Sequence, residues 1–423
     1  MMHEALLHYL WQQRLFPLAP LTTTAGEPLE IISVGIPNPN AGADFFNAKV
    51  SIGGVVWAGD VEIHLASTDW KAHRHHTNPA YNNVILHVVA TFNTDIYDSN
   101  GRKIPQFILP VPPAIRQRYD DLVCSPYTIP CEQHITAVSS LTKTTFATAL
   151  VVERMMRKAA DIQTLLAANG NDWSSAFYTI IARSFGFGKN ADAMQLLAQS
   201  LPLNYIAKHR DNLLQVEALL FGQASLLPFM PSDEYTAQLM SEYNFLRAKF
   251  SLTPISPSIW KMARLRPQNF PQLRVAQFAA LLHSSSHLLS QIVEKPQLEM
   301  LRTLFDVEVS PYWRTHYTFG SPSRATRKRL SSRSIDGIII NTVVPFLFVY
   351  GKQHNDENYT QQALALLEQI PPENNAIVAH YQTLGFRIDN AADSQAILQL
   401  HTNYCTKKDC LRCRIGNELM RRP

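Results

Sequence analysis

Residues 55–65 read VVWAGDVEIHL, and the fold turns on how this run is placed. As a strand it puts Trp57, Val61, Ile63 and Leu65 on one side and Asp60, Glu62 and His64 on the other. Three ionisable groups in a row are costly on a dry face, so that face is either solvated or holds a ligand. Just upstream, residues 45–52 alternate and stop at Gly53-Gly54, a hairpin signal. Residues 29–35 (LEIISVG) read as a short strand. Residues 84–92 (VILHVVATF) are almost wholly apolar, as in a strand buried on both faces. A polar, histidine-rich segment, 69–83, separates the last two strands. At the N-terminus, Leu6, Leu7, Leu10, Trp11 and Leu15 recur at helical spacing, and Glu4 and His8 interrupt what would otherwise resemble a signal peptide.

Outward from this core the pattern changes. Prolines at 105, 110, 112, 113, 126 and 130 predict a linker. After about residue 136 the periodicity is helical, with runs such as 147–168, 211–227 and 273–293. The expected organisation is α+β: an α/β domain at 1–104 with a mixed sheet, a Pro-rich linker at 105–135 and a helical domain at 136–423. A hydrophobic share of 46% supports a real core and excludes a disordered chain. Residues 1–140 hold 8 Lys/Arg against 12 Asp/Glu, and the remainder holds 30 against 22. This asymmetry suits a metal-binding first part and a polyanion-binding second part. The apolar stretch 338–350 is too short for a bilayer, so the expectation is a cytoplasmic protein without a membrane partner. Walker A, dinucleotide, HExxH and GxSxG patterns do not occur.

Asp44, at the start of the strand before the hairpin, falls near Glu62 and His64 if the two strands pair. Two carboxylates and a third polar group suit a hard divalent cation, Mg²⁺ or Mn²⁺. The order helix, strand, strand with Asp44, strand with Glu62-x-His64, helix, strand resembles the PD-(D/E)xK, or restriction-endonuclease-like, nucleases. That resemblance covers residues 1–95 and implies that Asp44 and Glu62 bind metal. It places His64 where the family has lysine, Ala43 where it has proline, and Glu4 at an acidic position of the opening helix. Lys71, His73, His75 and His87 would form the periphery. A neutral imidazole supplies no fixed charge, so His64 would orient water or bind metal. His73 and His75 with His64 or His87 also suit a transition metal acting on a small substrate.

A broader resemblance, carried by GDVEIH (59–64), TDWKAHRHHTNPAYNNVILHVV (68–89), SIDGIIINTVVPFLFVYGK (334–352) and YCTKKDCLRCRIG (404–416), is to a bacterial family of unknown function. It implies a shared architecture and no activity.

Cys405, Cys410 and Cys413 crowd three thiols into nine residues. Cys131, Cys124 or His401 would supply a fourth ligand, with Cys131 preferred, for Zn²⁺ or a [4Fe–4S] cluster of structural role. Flanking lysines and arginines are expected to lower the thiol pKa values. The stretch 314–333 carries Arg314, Arg324, Arg327, Lys328, Arg329 and Arg333 without an acid, beside Tyr312, Trp313, Tyr317 and Phe319. As a loop it suits phosphate contact and base stacking. The reading is a metal-dependent nuclease; the alternative is a non-catalytic nucleic-acid-binding or scaffold protein on a degenerate nuclease-like core.

Overall fold

A computed structural model describes residues 3–17 and 20–422. The chain forms two compact units, Met1–Phe146 with Leu400–Pro423, and Ala147–Gln399. This differs from the expected segments, because the cysteine-bearing tail belongs with the N-terminal sheet.

In the first unit, helix α1 (Glu4–Gln13) precedes strands β1 (Leu21–Thr22), β2 (Pro28–Ser33), β3 (Ile36–Pro37), β4 (Phe45–Ile52) and β5 (Val55–Ala66). Helix α2 (Asp69–Ala72) and two 3₁₀ turns lead to β6 (Val84–Thr91), then β7 (Gln106–Ile108) and helix α3 (Pro113–Val123). The sheet order is β1-β2-β4-β5-β6-β7, with β3 beside β4. Strands β1, β2, β4 and β5 pair antiparallel, whereas β5, β6 and β7 run parallel. The antiparallel pair β4–β5 needs only the turn at Gly53-Gly54, where both residues have positive φ (59° and 86°). The parallel pair β5–β6 needs a crossover, and the histidine-rich segment provides it.

Both faces of β5 are covered from Gly59 to His64, so its polar row is dry rather than solvated: Glu62 is 5% exposed and His64 2%. The strand begins differently, with Val55, Val56 and Trp57 exposed at the hairpin tip. Gly59 allows close approach to the entry of β6, since a Cβ there would lie 2.5 Å from the Asn83 carbonyl oxygen. Leu6, Leu7, Leu10 and Trp11 of α1 are buried, and the Trp11 indole N–H donates to the Val34 carbonyl at 3.0 Å.

The expected linker is structured. Residues 106–108 extend the sheet, and Pro112 and Pro113 open α3, where a missing N–H costs nothing. The second unit is helical. Its apolar stretch is longer than the sequence suggests. The helix Ser332–Ile338 continues through a π turn, Ile339–Val343, into Val344–His354. The π turn accommodates Pro345, which cannot donate to an ordinary helical ladder. This run is long and apolar enough to cross a membrane, and most of it is buried within the protein.

Candidate functional site

Four structural devices bring polar groups together at the buried end of β5. The pairing of β4 with β5 sets Phe45 opposite Val61. That register locks Asp44 and Glu62 reciprocally: the Asp44 N–H donates to Glu62 Oε2 at 3.1 Å, and the Ile63 N–H donates to Asp44 Oδ2 at 2.8 Å. Helix α1 adds His8, whose Nε2 lies 3.5 Å from Asp44 Oδ2 and 3.8 Å from Glu4 Oε1. The crossover adds His73 and His75. Trp70 anchors it, fully buried and donating its indole N–H to the Tyr97 carbonyl at 3.0 Å. Arg74, at φ 63°, reverses the chain between the two histidines. Finally β6 sets His87 opposite Glu62.

The result is a connected cluster. His64, His73 and His75 hold ring nitrogens within 4.8 Å of one another. Glu62 Oε1 lies 3.4 Å from His64 Nε2 and 3.1 Å from His75 Nε2. The second contact lacks hydrogen-bond alignment, so His75 Nε2 is a buried polar atom without a hydrogen bond. His75 is held from both sides, parallel to the His64 ring and stacked 3.8 Å from Tyr81.

A chain of hydrogen bonds behind His64 fixes where its protons sit. The Thr94 carbonyl can only accept, so Gln106 turns its amide NH₂ toward it, at 2.9 Å. The Gln106 oxygen then faces His87 Nδ1 at 3.2 Å, which makes that nitrogen the donor. His87 Nε2 is left as acceptor for the Nδ1–H of His64 at 2.9 Å. His64 Nε2 therefore presents a lone pair toward His73 Nδ1, at 3.0 Å, and toward Glu62.

Burial sets the electrostatics. It is the main cause that depresses His64 to about 2, helped by the His87, His73 and His75 rings around it. Burial likewise depresses His87 to about 4, against the Gln106 hydrogen bond. The same desolvation raises Asp44, Glu62 and Glu4 above the usual carboxylate range, with nearby histidines opposing it. His64 is thus a neutral imidazole and no substitute for a lysine. Lys71 does not supply the charge either. It is exposed on α2 and, among the described residues, makes no hydrogen bond or ion pair to the cluster.

Most of the residues expected at the site converge: Glu4, Asp44, Glu62, His64, His73 and His75. His87 stands one step behind, as the support of His64. The sequence reading missed His8, Tyr81 and Gln106. His8 follows Glu4 by one helical turn, a spacing that would have put it on the same side of α1. Asp60 shares the polar side of β5 but is occupied elsewhere, accepting from the Asn47 N–H and the Asn83 amide.

The four cysteines expected to cooperate, Cys131, Cys405, Cys410 and Cys413, are all buried, whereas Cys124 is exposed. Their thiols depart from the expectation drawn from the basic flanks. Burial first, then the neighbouring sulfurs, pushes Cys131, Cys410 and Cys413 up to about 12. The flanking charges point elsewhere: Lys408 donates to the Val123 and Ser125 carbonyls, and Arg412 pairs with Asp409.

The basic stretch also differs from an open loop. It includes a small hairpin, His316–Thr318 with Ser321–Pro322. Arg314 pairs with Glu308 at 2.8 Å, and Arg329 with Asp306 at 2.8 Å and Glu308 at 3.4 Å. Lys328 is buried and donates to the His316 carbonyl at 2.7 Å. Arg324, Arg327 and Arg333 remain exposed. The aromatics are spent internally: Trp313 and Phe319 pack on Phe221, and Tyr312 stacks between His316 and Tyr235.

A family model described as a protein of unknown function, DUF2851, matches residues 4–376. The match stops short of Cys405, Cys410 and Cys413. No curated protein and no solved structure matches the chain.

Proposed function

The chain belongs to the DUF2851 family, whose description carries no activity, and we propose from its own residues that it is a metal-dependent phosphodiesterase acting on nucleic acid. The observation that carries the metal is the approach of His64, His73 and His75 ring nitrogens to within 4.8 Å of one another, with Glu62 Oε1 3.4 Å from His64 Nε2 and 3.1 Å from His75 Nε2. A buried carboxylate with imidazole nitrogens gathered close around it is a donor set that a cation satisfies.

Three imidazoles and one carboxylate shift the choice of metal. Mg²⁺ prefers oxygen and water, whereas this donor set suits Mn²⁺, Zn²⁺ or Fe²⁺. Glu62, His64, His73 and His75 would hold it. A cation there supplies Lewis-acid charge for a phosphoryl oxygen and an acidified water. The chain's own groups do the rest. The β4–β5 lock orients Glu62, and the Thr94–Gln106–His87 relay orients His64. Asp44 and His8, both partly open to solvent, form the pair that takes and returns a proton at the mouth of the site.

Support for a phosphodiester substrate comes from the order of elements. Helix α1, strand β2, strand β4 after Asp44, strand β5 with Glu62-x-His64, helix α2 and strand β6 occur in the order on which the sequence resemblance to PD-(D/E)xK nucleases rests, with the short β1 and β3 interposed. The exposed Arg324, Arg327 and Arg333 give the polyanion a part of the basic surface the sequence led one to expect. The neutral His64, standing where those nucleases have lysine, favours the second reading, nucleic-acid binding without cleavage.

The test is cleavage of single- and double-stranded DNA and RNA with Mn²⁺, Zn²⁺, Fe²⁺ or Mg²⁺. Activity should require Mn²⁺, Zn²⁺ or Fe²⁺ and disappear in Glu62→Gln and His64→Ala. Salt-sensitive binding with no cleavage under any metal would sink the catalytic reading and leave the second one.

A further inference from the structure

The helical unit carries a cleft that the phosphodiesterase reading does not use. Its volume is about 890 Å³, within the range of small-molecule sites. One wall is the long helix Ser140–Ala168, which contributes Lys158, Ile162 and Leu165 at successive turns. A second is the helix Trp173–Phe185, through Ile180, Arg183 and Ser184. The third is the helical run that starts at Ser332, through Arg333, Gly337 and Asn341.

The π turn Ile339–Val343 joins these walls. It carries Asn341 and Thr342, the two polar residues of the apolar stretch 338–349, IIINTVVPFLFV. Asn341 accepts from Lys158 Nζ at 2.7 Å and donates to the Gly337 carbonyl at 3.0 Å. Thr342 meets the Ser184 hydroxyl. Arg333, Gly337 and Asn341 recur every fourth residue and share a side, the first and last roughly 12 Å apart along the axis. Between them the wall is bare, because a Cβ at Gly337 would meet no atom within 4 Å. Packing therefore does not explain this glycine. Gly222 shows the contrast, since a Cβ there would fall 2.1 Å from the Tyr243 ring.

Charge in the cleft is unbalanced. Lys158, Arg183 and Arg333 line it against a single acid, Asp161. Arg183 is engaged with Asp192 and Gln195. Lys158 donates to the neutral Asn341 amide, and Arg333 is exposed and makes no hydrogen bond or ion pair among the described residues. Burial first, then Arg154, holds Lys158 down to about 7, with Arg157 adding to this and Glu373 and Asp161 opposing it. A lysine in that state takes up its full charge when an anion faces it. Ile162, Leu165 and Ile180 make the adjoining surface apolar. The combination fits a ligand with an anionic head and an apolar body. Two cations without acidic partners exceed the charge of one carboxylate and match a phosphate dianion.

We propose that this cleft binds a small phosphate monoester with an apolar body: the phosphate lies over Gly337, between Lys158 and Asn341 on one side and Arg333 on the other, and the body lies against Ile162, Leu165 and Ile180. The site is independent of the histidine cluster and stands or falls without it. Arg333 then belongs to the cleft, and Arg324 and Arg327 remain for a polyanion.

The experiment uses the full-length His64→Ala/His75→Ala chain with chelator, so that no metal at the β5 cluster can hold a phosphate. Phenyl phosphate is titrated by calorimetry in phosphate-free buffer, beside phenol, benzoate and a single-stranded oligonucleotide without terminal phosphates. Phenyl phosphate should bind a single site per chain at millimolar concentration or below, benzoate more weakly and phenol not at all. Lys158→Met and Arg333→Gln should each weaken binding by roughly tenfold or more. Gly337→Leu places its side chain in open space and suits a helix better than glycine. It should abolish binding and keep the unfolding transition, while Arg324→Gln binds as before. No binding at millimolar concentration overturns the proposal, as does full affinity in both Lys158→Met and Arg333→Gln. Benzoate binding as tightly as phenyl phosphate would overturn the choice of a phosphate. Displacement of phenyl phosphate by the oligonucleotide would give the cleft to a nucleic acid and sink the small-molecule reading. If Lys158→Met fails to fold, the exposed Arg333 and the Gly337→Leu variant still decide.

Discussion

The two units bury ionisable groups in opposite ways. The first gathers them: five histidines and three carboxylates near one end of β5, with three cysteines close together in the tail. The second buries fewer together, and Glu217 and Arg274 each find a local remedy. Glu217, 1% exposed, is pushed by burial up to about 7, so it stays protonated well above the range of an ordinary carboxylate. Arg274 keeps its charge by donating to the Gln277 and Asn269 amide oxygens at 2.8 and 2.5 Å and lying over the Phe187 ring. An isolated group solves its desolvation by moving a proton or borrowing neutral dipoles. The β5 cluster shares protons along Gln106, His87 and His64, and on the proposed reading a cation serves its outer members.

The comparison breaks first at Glu62 and His64. Removing either should cost metal retention outright and lower hydrolysis on the order of a thousandfold or more, with the unfolding transition kept. Normal activity in His64→Ala, measured under saturating Mn²⁺, would show that the cluster is only structural.

A smaller effect is expected from the solitary acid. Glu217 has a folded pKa near 7 against 4.5 for an ordinary glutamate. The folded state therefore binds its proton more tightly than the unfolded state. The cost of burying it is absent below about pH 4.5 and grows as pH rises toward 7, reaching roughly 3 kcal/mol. Glu217→Gln should remove that slope from denaturant unfolding between pH 5 and 7.5. An unchanged slope would mean that the acid is not neutral.

The relay behind His64 comes next. Gln106→Leu removes the acceptor that fixes the His87 tautomer and touches no proposed ligand. Metal affinity by isothermal calorimetry should weaken by roughly 10–100-fold. Affinity unchanged from wild type would separate the relay from the site. Smallest of all, Tyr81→Phe keeps the ring under His75 and loses only a long 3.4 Å contact from the hydroxyl to the Gly42 carbonyl. It should cost at most about 1 kcal/mol and leave metal binding intact.

Much of the site was legible along the chain because β-strand periodicity is strict. Once VVWAGDVEIHL is a strand, Glu62 and His64 must share a side, and the Gly53-Gly54 turn brings Asp44 back to them. The periodicity could not reveal that both faces would be covered, since β6 arrives through a crossover whose path depends on Trp70 finding its slot. Nor could it rank the histidines. His73, His75 and His87 look equivalent in sequence, and only the Gln106 and Thr94 contacts put His87 behind His64. The basic stretch misled for a related reason. Charge composition counts Arg314, Lys328 and Arg329 alike with their neighbours, but the acids that occupy the two arginines, Asp306 and Glu308, precede the run.

The sequence by itself determined the α+β organisation, the strand bearing Glu62 and His64, and the grouping of Cys405, Cys410 and Cys413, because each rests on spacing over a few residues. Tertiary structure alone decided that His8, from the first helix, joins Asp44, and that the expected linker is part of the folded unit. Those choices depend on which distant surfaces exclude water together, and desolvation is a property of packed neighbours that no local pattern encodes.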